Sequence, residues 1–319
     1  MPACETGPLR LVSPYLPGGM SSAVGEVLIR ELPARLGLAV ALDHVPGQAG
    51  ARAASDVADA NDPCLVLIGT VTTQVLLPAI SRNVRYDGLQ SFKPVALMGG
   101  APLILAVRPG LPVRSVHDLI VLGRKHPLRY GTTGIGTVSH LAGAMFARLA
   151  NLELEQVAAD GSAAMTSDLE EGRADLAFDN AVVPLVRAGR LRALAVTSRS
   201  RLPGLPDVPT MSEAGVPGFD ASPWVGLYAS PAASAAFVDR LAGELARIER
   251  QPEVRKQLAD LGVQSRFLGP TAFAEFTRAE IGRWGREVDL ALGQVGRPGP
   301  ARAPPAGTQA PPALPAPKP

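Results

Sequence analysis

Residues 129–150 read Arg-Tyr-Gly-Thr-Thr-Gly-Ile-Gly-Thr-Val-Ser-His followed by Leu-Ala-Gly-Ala-Met-Phe-Ala-Arg-Leu-Ala, and this segment most narrows the folds open to the chain. It has the form of a short strand, a glycine-rich turn and an amphipathic helix. Val138, Leu141, Ala142, Met145 and Leu149 fall at helical spacing and make one apolar stripe. Gly131, Gly134 and Gly136 let the backbone turn sharply, while Thr132, Thr133 and Thr137 bring hydroxyls to the helix start. The first amides of a helix lack intrahelical partners and lie at the positive end of its dipole, so such a turn suits an anion.

The same grammar recurs along the chain. Residues 9–13 read as a strand, 14–19 as a turn, and the following stretch as a helix reaching about Gly37. Ser21 or Ser22 is its expected N-cap, Val24, Val27, Leu28 and Leu32 its buried face, and Pro33 is expected to kink it or end its regular part. Strands are predicted over 38–42, 64–68, 92–97, 103–107, 154–158, 175–179, 191–196 and 224–228. Helices are predicted over 51–60, 115–124, from 162 to a stop at Glu171-Gly172, and over 182–188, 234–250, 252–261 and 271–292. Strands alternating with helices indicate parallel βαβ units. The apolar run at 64–68 suits a strand buried on both faces.

With 319 residues the chain has room for two domains, and an apolar fraction of 46% supplies a core. Acids and bases nearly balance at a net charge of +2, and no basic cluster is interleaved with aromatics, which argues against nucleic-acid binding. Residues 201–223 are rich in Pro and Gly and are expected to form an irregular connection. Residues 297–319 include nine prolines and are expected to be disordered. The longest apolar stretch, 65–80, is broken by Gly69, several threonines and Gln74 and is no transmembrane span. Met1-Pro-Ala-Cys-Glu has neither a basic start nor an apolar leader, so the chain is expected to be cytosolic unless a leader lies outside this sequence. For the same reason lipidation of Cys4 is discounted. Cys4 and Cys64 would have to join a loose terminus to a strand end, and they are expected to stay unbridged.

Other chemistries find little support. Gly134-Ile-Gly136 resembles the opening of a dinucleotide fingerprint, but Ser139 occupies the place of its third glycine. His44, His117, His126 and His140 show no metal-ligand spacing, and His140, on a first helical turn, reads as a capping or packing residue ahead of a catalytic one. No Gly-x-Ser-x-Gly elbow and no acid–base carboxylate pair is present. Asp168 and Asp175 sit in helix and strand contexts that suit structural roles, and Asp179 either touches ligand or caps the next helix. No cofactor is expected.

An ordered series of motifs resembles one family, the solute-binding proteins of tripartite tricarboxylate transporters, also called Bug receptors. It comprises Pro17-Gly-Gly19, Pro46-Gly47, Tyr86-Asp87, Phe92-Lys-Pro-Val95, the segment from Tyr130 to Leu141 and Phe178-Asp-Asn180. It continues through Gly189-Arg-Leu-Arg-Ala-Leu-Ala-Val-Thr197, Arg201, Leu205-Pro-Asp-Val-Pro-Thr210, Glu213-Ala-Gly215 and Trp224-Val-Gly226. The resemblance implies an α/β periplasmic binding-protein fold of type II, with two lobes around a ligand cleft joined by two crossing strands. The crossings would lie near 104–108 and 224–228, with lobe 1 formed by 1–104 plus 228–296 and lobe 2 by 105–227. It further implies capture of a small carboxylate or amino-acid-like ligand, delivery to a membrane permease, a periplasmic location and a monomer.

The strand-end turns and the resemblance together nominate Tyr15, Pro17, Gly18, Gly19, Ser22, Thr70 and Thr72 on one side of the cleft. Thr132, Thr133, Gly136, Thr137, His140, Asp160, Gly161 and Asp179 are nominated on the other. Two positions depart from the family pattern. Ser22 stands where an Asp is usual, and Ala159-Asp160-Gly161 stands where Tyr-Lys-Gly is usual. The second is a charge reversal that disfavours a multiply charged anion or lets Asp160 accept an ammonium or hydroxyl. Two other readings are a nucleotide- or acyl-using enzyme of the same fold class and a binding pair turned to sensing or scaffolding.

Overall fold

A computed structural model describes residue 4 and residues 7–294 except 82, 135 and 160, with side chains through 290. The expected disorder at 297–319 lies outside the described residues. In chain order the first half contains β1 (Leu9–Ser13), α1 (Met20–Leu36), β2 (Val40–His44), α2 (Ala51–Ala58), β3 (Leu65–Thr70), α3 (Leu77–Ile80), β4 (Lys93–Gly100) and β5 (Ile104–Val107). Next come α4 (Val116–Gly123), β6 (Leu128–Thr132), α5 (Val138–Ala150), β7 (Leu154–Ala158), α6 (Ser162–Glu170), β8 (Leu176–Asp179), α7 (Val183–Arg187) and β9 (Arg192–Val196). The chain then forms β10 (Trp224–Ala229), α8 (Ala235–Glu249), α9 (Pro252–Asp260), β11 (Gln264–Leu268) and α10 (Pro270–Gln294).

Two mixed sheets result. The first runs β11-β4-β10-β3-β1-β2 and the second β7-β6-β8-β5-β9. In the first, β1 pairs in parallel with β2 and β3, while β10 inserts antiparallel between β3 and β4. In the second, β6 pairs in parallel with β7 and β8, and β5 runs antiparallel to β8 and β9. β3 is buried along its whole length, as a central strand covered on both faces requires.

The chain passes between the sheets at 101–103 and again at 197–223, just outside the segments expected to cross; Ile104–Val107 and Trp224–Ala229 are themselves fully paired strands. The two passages run side by side. The Ala101 amide donates to Pro223 O (3.1 Å) and the Thr197 amide to Leu103 O (2.9 Å), while the Leu103 amide donates to Thr197 Oγ1 (2.9 Å). One apolar core under the first sheet gathers Leu28, Ile68, Leu241 and Leu245; another lies outside the second sheet around Met165, Leu169 and Ala177. A third continues from Leu67, Tyr228 and Phe273 into Leu105, Tyr130 and Phe146, so it runs from one sheet to the other.

Two expectations need correction and one strand was not foreseen. Ser21 and Ser22 do not cap α1; Gly19 is its N-cap, and both serines are buried inside the helix. Ser21 Oγ pairs with Ser13 Oγ (3.1 Å), and Ser22 Oγ donates to Glu26 Oε1 (3.0 Å). Pro33 lies inside α1, which runs to Leu36 as its expected end near Gly37 implied, and Gly37 turns left-handed at φ 66°. β11 was not expected, because Gln264–Leu268 is a half-exposed edge strand without apolar alternation, paired irregularly with β4. Finally, Cys4 and Cys64 form a disulfide with Cα atoms 4.9 Å apart. The error lay in taking the terminus as loose: Cys4 is 1% exposed and packs into the first core beside the start of β3.

Candidate ligand cleft

The loops that leave the parallel strands do the positioning, as in other open α/β sheets. Pro14, Tyr15 and Leu16 follow β1, and Pro46, Gly47, Ala49 and Gly50 follow β2; facing them are Thr133, Gly134 and Thr137 after β6 and Gly161 after β7. These residues enclose a cavity of about 530 Å³, within the size range of small-molecule sites. Its lining therefore comes from both sheets.

Tyr15 is held at both ends. Its carbonyl accepts from His44 Nδ1–H (2.8 Å) and from the Ser13 hydroxyl (3.2 Å), and its phenol oxygen pairs with Thr70 Oγ1 (3.2 Å). Burial pushes the phenol above its ordinary pKa, with the Thr70 and Thr72 hydroxyls pulling partly the other way, so it remains neutral. The next loop is unusual: Gly47, Gln48, Ala49 and Gly50 all have positive φ, at 139°, 51°, 54° and 96°. Consecutive left-handed residues, two of them not glycine, persist only where surrounding packing enforces them. At Gly50 a Cβ would stand 2.8 Å from Thr73 Cγ2 and 3.0 Å from Pro14 Cβ, so glycine is needed to seat the Tyr15 loop.

On the facing side a hydroxyl cluster shapes the turn. The Thr133 amide donates to Ser139 Oγ (2.9 Å), Thr133 Oγ1 lies 3.0 Å from Ser139 Oγ, and Thr137 Oγ1 donates to Gly134 O (2.7 Å). Thr137 is the N-cap of α5, accepting from the His140 amide (3.4 Å). The Gly136 amide donates to His140 Nδ1 (3.2 Å), so His140 acts as a packing and turn-fixing residue; its burial holds its pKa below the ordinary histidine value. Gly161, at φ 90°, precedes α6, which starts without a side-chain cap.

The nominated residues divide accordingly. Tyr15, Thr133, Thr137 and Gly161 line the cavity. Thr70 stands behind Tyr15, with buried Thr72 nearby, and Thr132 stands behind Thr133, where its hydroxyl accepts from Gln156 Nε2 (3.0 Å). Pro17, Gly18 and Gly19 continue the Tyr15 loop without lining the cavity, and Ser22 points inside the fold. Gly136 touches the first half instead: a Cβ there would lie 2.3 Å from Ile80 Cδ1. Asp160 lies outside the described residues. Asp179 is buried, accepting from the Ala181 amide (2.7 Å) and the Ser162 hydroxyl (3.2 Å). Burial raises its pKa, and those hydrogen bonds together with the Asn180 amide lower it in part. Asp175 is structural: Arg108 Nε (2.8 Å) and the Arg129 amide (2.9 Å) both donate to it.

Sequence reasoning did not nominate Pro14, Leu16, Pro46, Gly47, Ala49, Gly50 or Gly134, which line the cavity, nor Ser139 in the hydroxyl cluster beside them. Leu16 lies between the nominated Tyr15 and Pro17 and was within reach of the sequence, whereas the loop carrying Ala49 and Gly50 joins the site only because β2 ends beside β1. Ser139 was noticed only as a missing glycine. Among the described residues no three His, Cys, Asp or Glu side chains are placed to hold a metal. Among the described residues the cavity lining contains no Lys, Arg or His.

Two mixed α/β sheets joined by paired passages, with strand-end loops from both facing one cavity, define a two-lobed binding protein of the periplasmic type II class. Residues 25–291 match the family model described as "Tripartite tricarboxylate transporter family receptor", and the chain belongs to that family. It is similar to the "UPF0065 protein in tcbD-tcbE intergenic region" of Pseudomonas sp. (strain P51), 33% identical over 291 residues that cover 88% of this chain and 85% of that protein. Among solved structures it is similar to "R. palustris Rpa4515 with adipate", with a TM-score of 0.83, 32% identity and coverage of 91% of this chain and 98% of that one. It is also similar to "periplasmic binding protein BugD", with a TM-score of 0.79, 26% identity and coverage of 89% and 97%. The chain is a solute-binding receptor, not an enzyme.

Proposed function

We propose that this receptor captures a small carboxylate between its lobes and passes it to the membrane permease of a tripartite tricarboxylate-type transporter. The observation that carries the reading is the shared cavity, with Tyr15 on one side and Thr133, Thr137 and Gly161 on the other. Hydroxyls, backbone amides and the uncapped start of α6 supply anion-binding dipoles where the described lining residues include no cation, each worth ~0.3–1 kcal/mol at an exposed helix end. The adipate-bound relative supports the ligand class. Lobe 1 comprises 1–104 plus 228–296 and lobe 2 comprises 105–227. A ligand touching both favours the closed arrangement, and the paired passages at 101–103 and 197–223 are the natural hinge.

The receptor works as a monomer in the periplasm. The Cys4–Cys64 disulfide supports an oxidising compartment, and the BugD likeness agrees with it. Calorimetric titration with a panel of organic acids and amino acids, backed by native mass spectrometry of the purified chain, tests the reading. Binding of at least one carboxylate at one site per chain is expected. Failure of every candidate, with no co-purified acid, would contradict it.

A further inference from the structure

One helix, α10, ties the two halves together. Its first turns belong to the first sheet: a Cβ on Gly226 of β10 would lie 2.2 Å from Phe273 Cζ, and Phe273 meets Trp224 edge-to-face with ring centres 5.9 Å apart. Next comes Glu280, whose Oε2 accepts from Trp224 Nε1 (3.0 Å) and Trp284 Nε1 (3.1 Å). Arg283 Nε donates to Glu280 Oε1 (2.9 Å), and Arg283 Nη1 donates to Asp220 O (2.6 Å) in the second passage. Further along, Arg148 Nη2 in the last turn of α5 donates to Glu287 Oε2 (2.7 Å). Trp284 and Val288 share one core with Leu141, Met145 and Phe146 of α5. α5 is the helix whose N-cap, Thr137, lines the cavity. It therefore meets the first half at both ends, at Glu287 and at Gly136, where a Cβ would lie 2.3 Å from Ile80 Cδ1. α3, which carries Ile80, also packs on α10.

From this arrangement we propose that Arg148 and Glu287 are positioning residues for ligand binding: their ion pair seats α5 on α10 and so fixes the Thr137 turn as the second wall of the cavity. The proposal rests on the reading of this cavity as the ligand site. About 17 Å of helix separates Thr137 from Arg148 at the usual rise per residue, and a hydrogen-bonded helix carries a displacement of one end to the other. A contact made between the halves favours the arrangement in which the two walls face each other. Weakening it lowers the population competent to bind, and apparent affinity falls by the same factor. The two side chains are 24% and 23% exposed, so water screens the pair in part and the effect is severalfold.

The test is hydrogen exchange read by mass spectrometry on the full chain, for the parent, Arg148→Glu, Glu287→Arg and the double reversal, with adipate calorimetry on the same four proteins. Each single reversal sets like charges together and should speed exchange of the amides at 136–141 about two- to fivefold, with the Tyr15 loop unchanged. The double reversal should return those amides to the parent rate. Adipate affinity should fall by a similar factor in the single reversals and recover in the double. A purely structural pair would lower the melting temperature and speed exchange only around 148 and 287. Unchanged exchange at 136–141, no recovery in the double reversal, or faster exchange with adipate affinity unmoved overturns the proposal. If adipate fails to bind even the parent, that result bears on the carboxylate reading alone, and the exchange rates still decide whether the pair positions the turn.

Discussion

Gly136 shows how much one missing side chain decides. Its backbone has φ +80°, and a Cβ would meet Ile80 Cδ1, which belongs to α3 on the other half of the molecule. Gly136→Ala therefore adds left-handed strain of ~1–2 kcal/mol and a contact between the halves that the end of the Ile80 side chain must shift to relieve. Ligand affinity measured by calorimetry is expected to fall about tenfold or more, with a smaller loss of thermal stability; unchanged affinity would contradict this role. His140 makes a pH-dependent contribution. Because burial holds its folded pKa down, the unfolded chain takes up the proton first as pH falls. The contribution is complete above the unfolded value, about 6.5, and is lost as pH drops below it. His140→Gln keeps an acceptor for the Gly136 amide and removes that dependence. Denaturant unfolding at neutral and mildly acid pH should show the parent losing more stability than the variant, and parallel losses would argue against it. At this scale the sequence was informative about Thr133 and Thr137, because glycines and hydroxyls mark a turn. It was silent on Ala49, which becomes a wall residue only once β2 lies beside β1.

Among the elements, two helix caps separate stability from function. Ser115 caps α4 through a capping box with Asp118, far from the cavity lining, whereas Thr137 caps α5 inside it. Ser115→Ala and Thr137→Val should each cost about 1 kcal/mol of stability. Only Thr137→Val should also weaken carboxylate binding, as paired melting and titration experiments would reveal; equal effects on binding would place the site elsewhere. Most elements were readable because each strand-to-helix step carries its own apolar period and turn residues. β11 escaped because an edge strand half open to water needs no alternation. The start of α1 was misplaced because Gly19 leaves the first turn without a side-chain cap, and the two serines serve buried contacts.

Over the whole molecule, two non-local features frame the cleft. The disulfide closes a segment 60 residues long that contains β1, α1, β2 and α2. Replacing both cysteines by serine should cost ~4 kcal/mol of unfolding free energy and leave ligand affinity unchanged, since neither cysteine lines the cavity. A large loss of affinity would tie the bridge to the site. The bridge itself was not legible, because its formation depends on how the terminus packs against β3. The antiparallel insertion of β10 between β3 and β4 is likewise set by long-range pairing; only the family resemblance pointed to a chain that returns.

The central claim is that loops from both sheets hold one acid between them. A crystal structure of the chain with its tightest-binding carboxylate tests it most directly. The account expects carboxylate oxygens within hydrogen-bond reach of Thr133, Thr137 or the amides after Gly161, with the rest of the ligand against the Tyr15 and Ala49 loops. A ligand seated on one sheet alone, or outside this cavity, would contradict it.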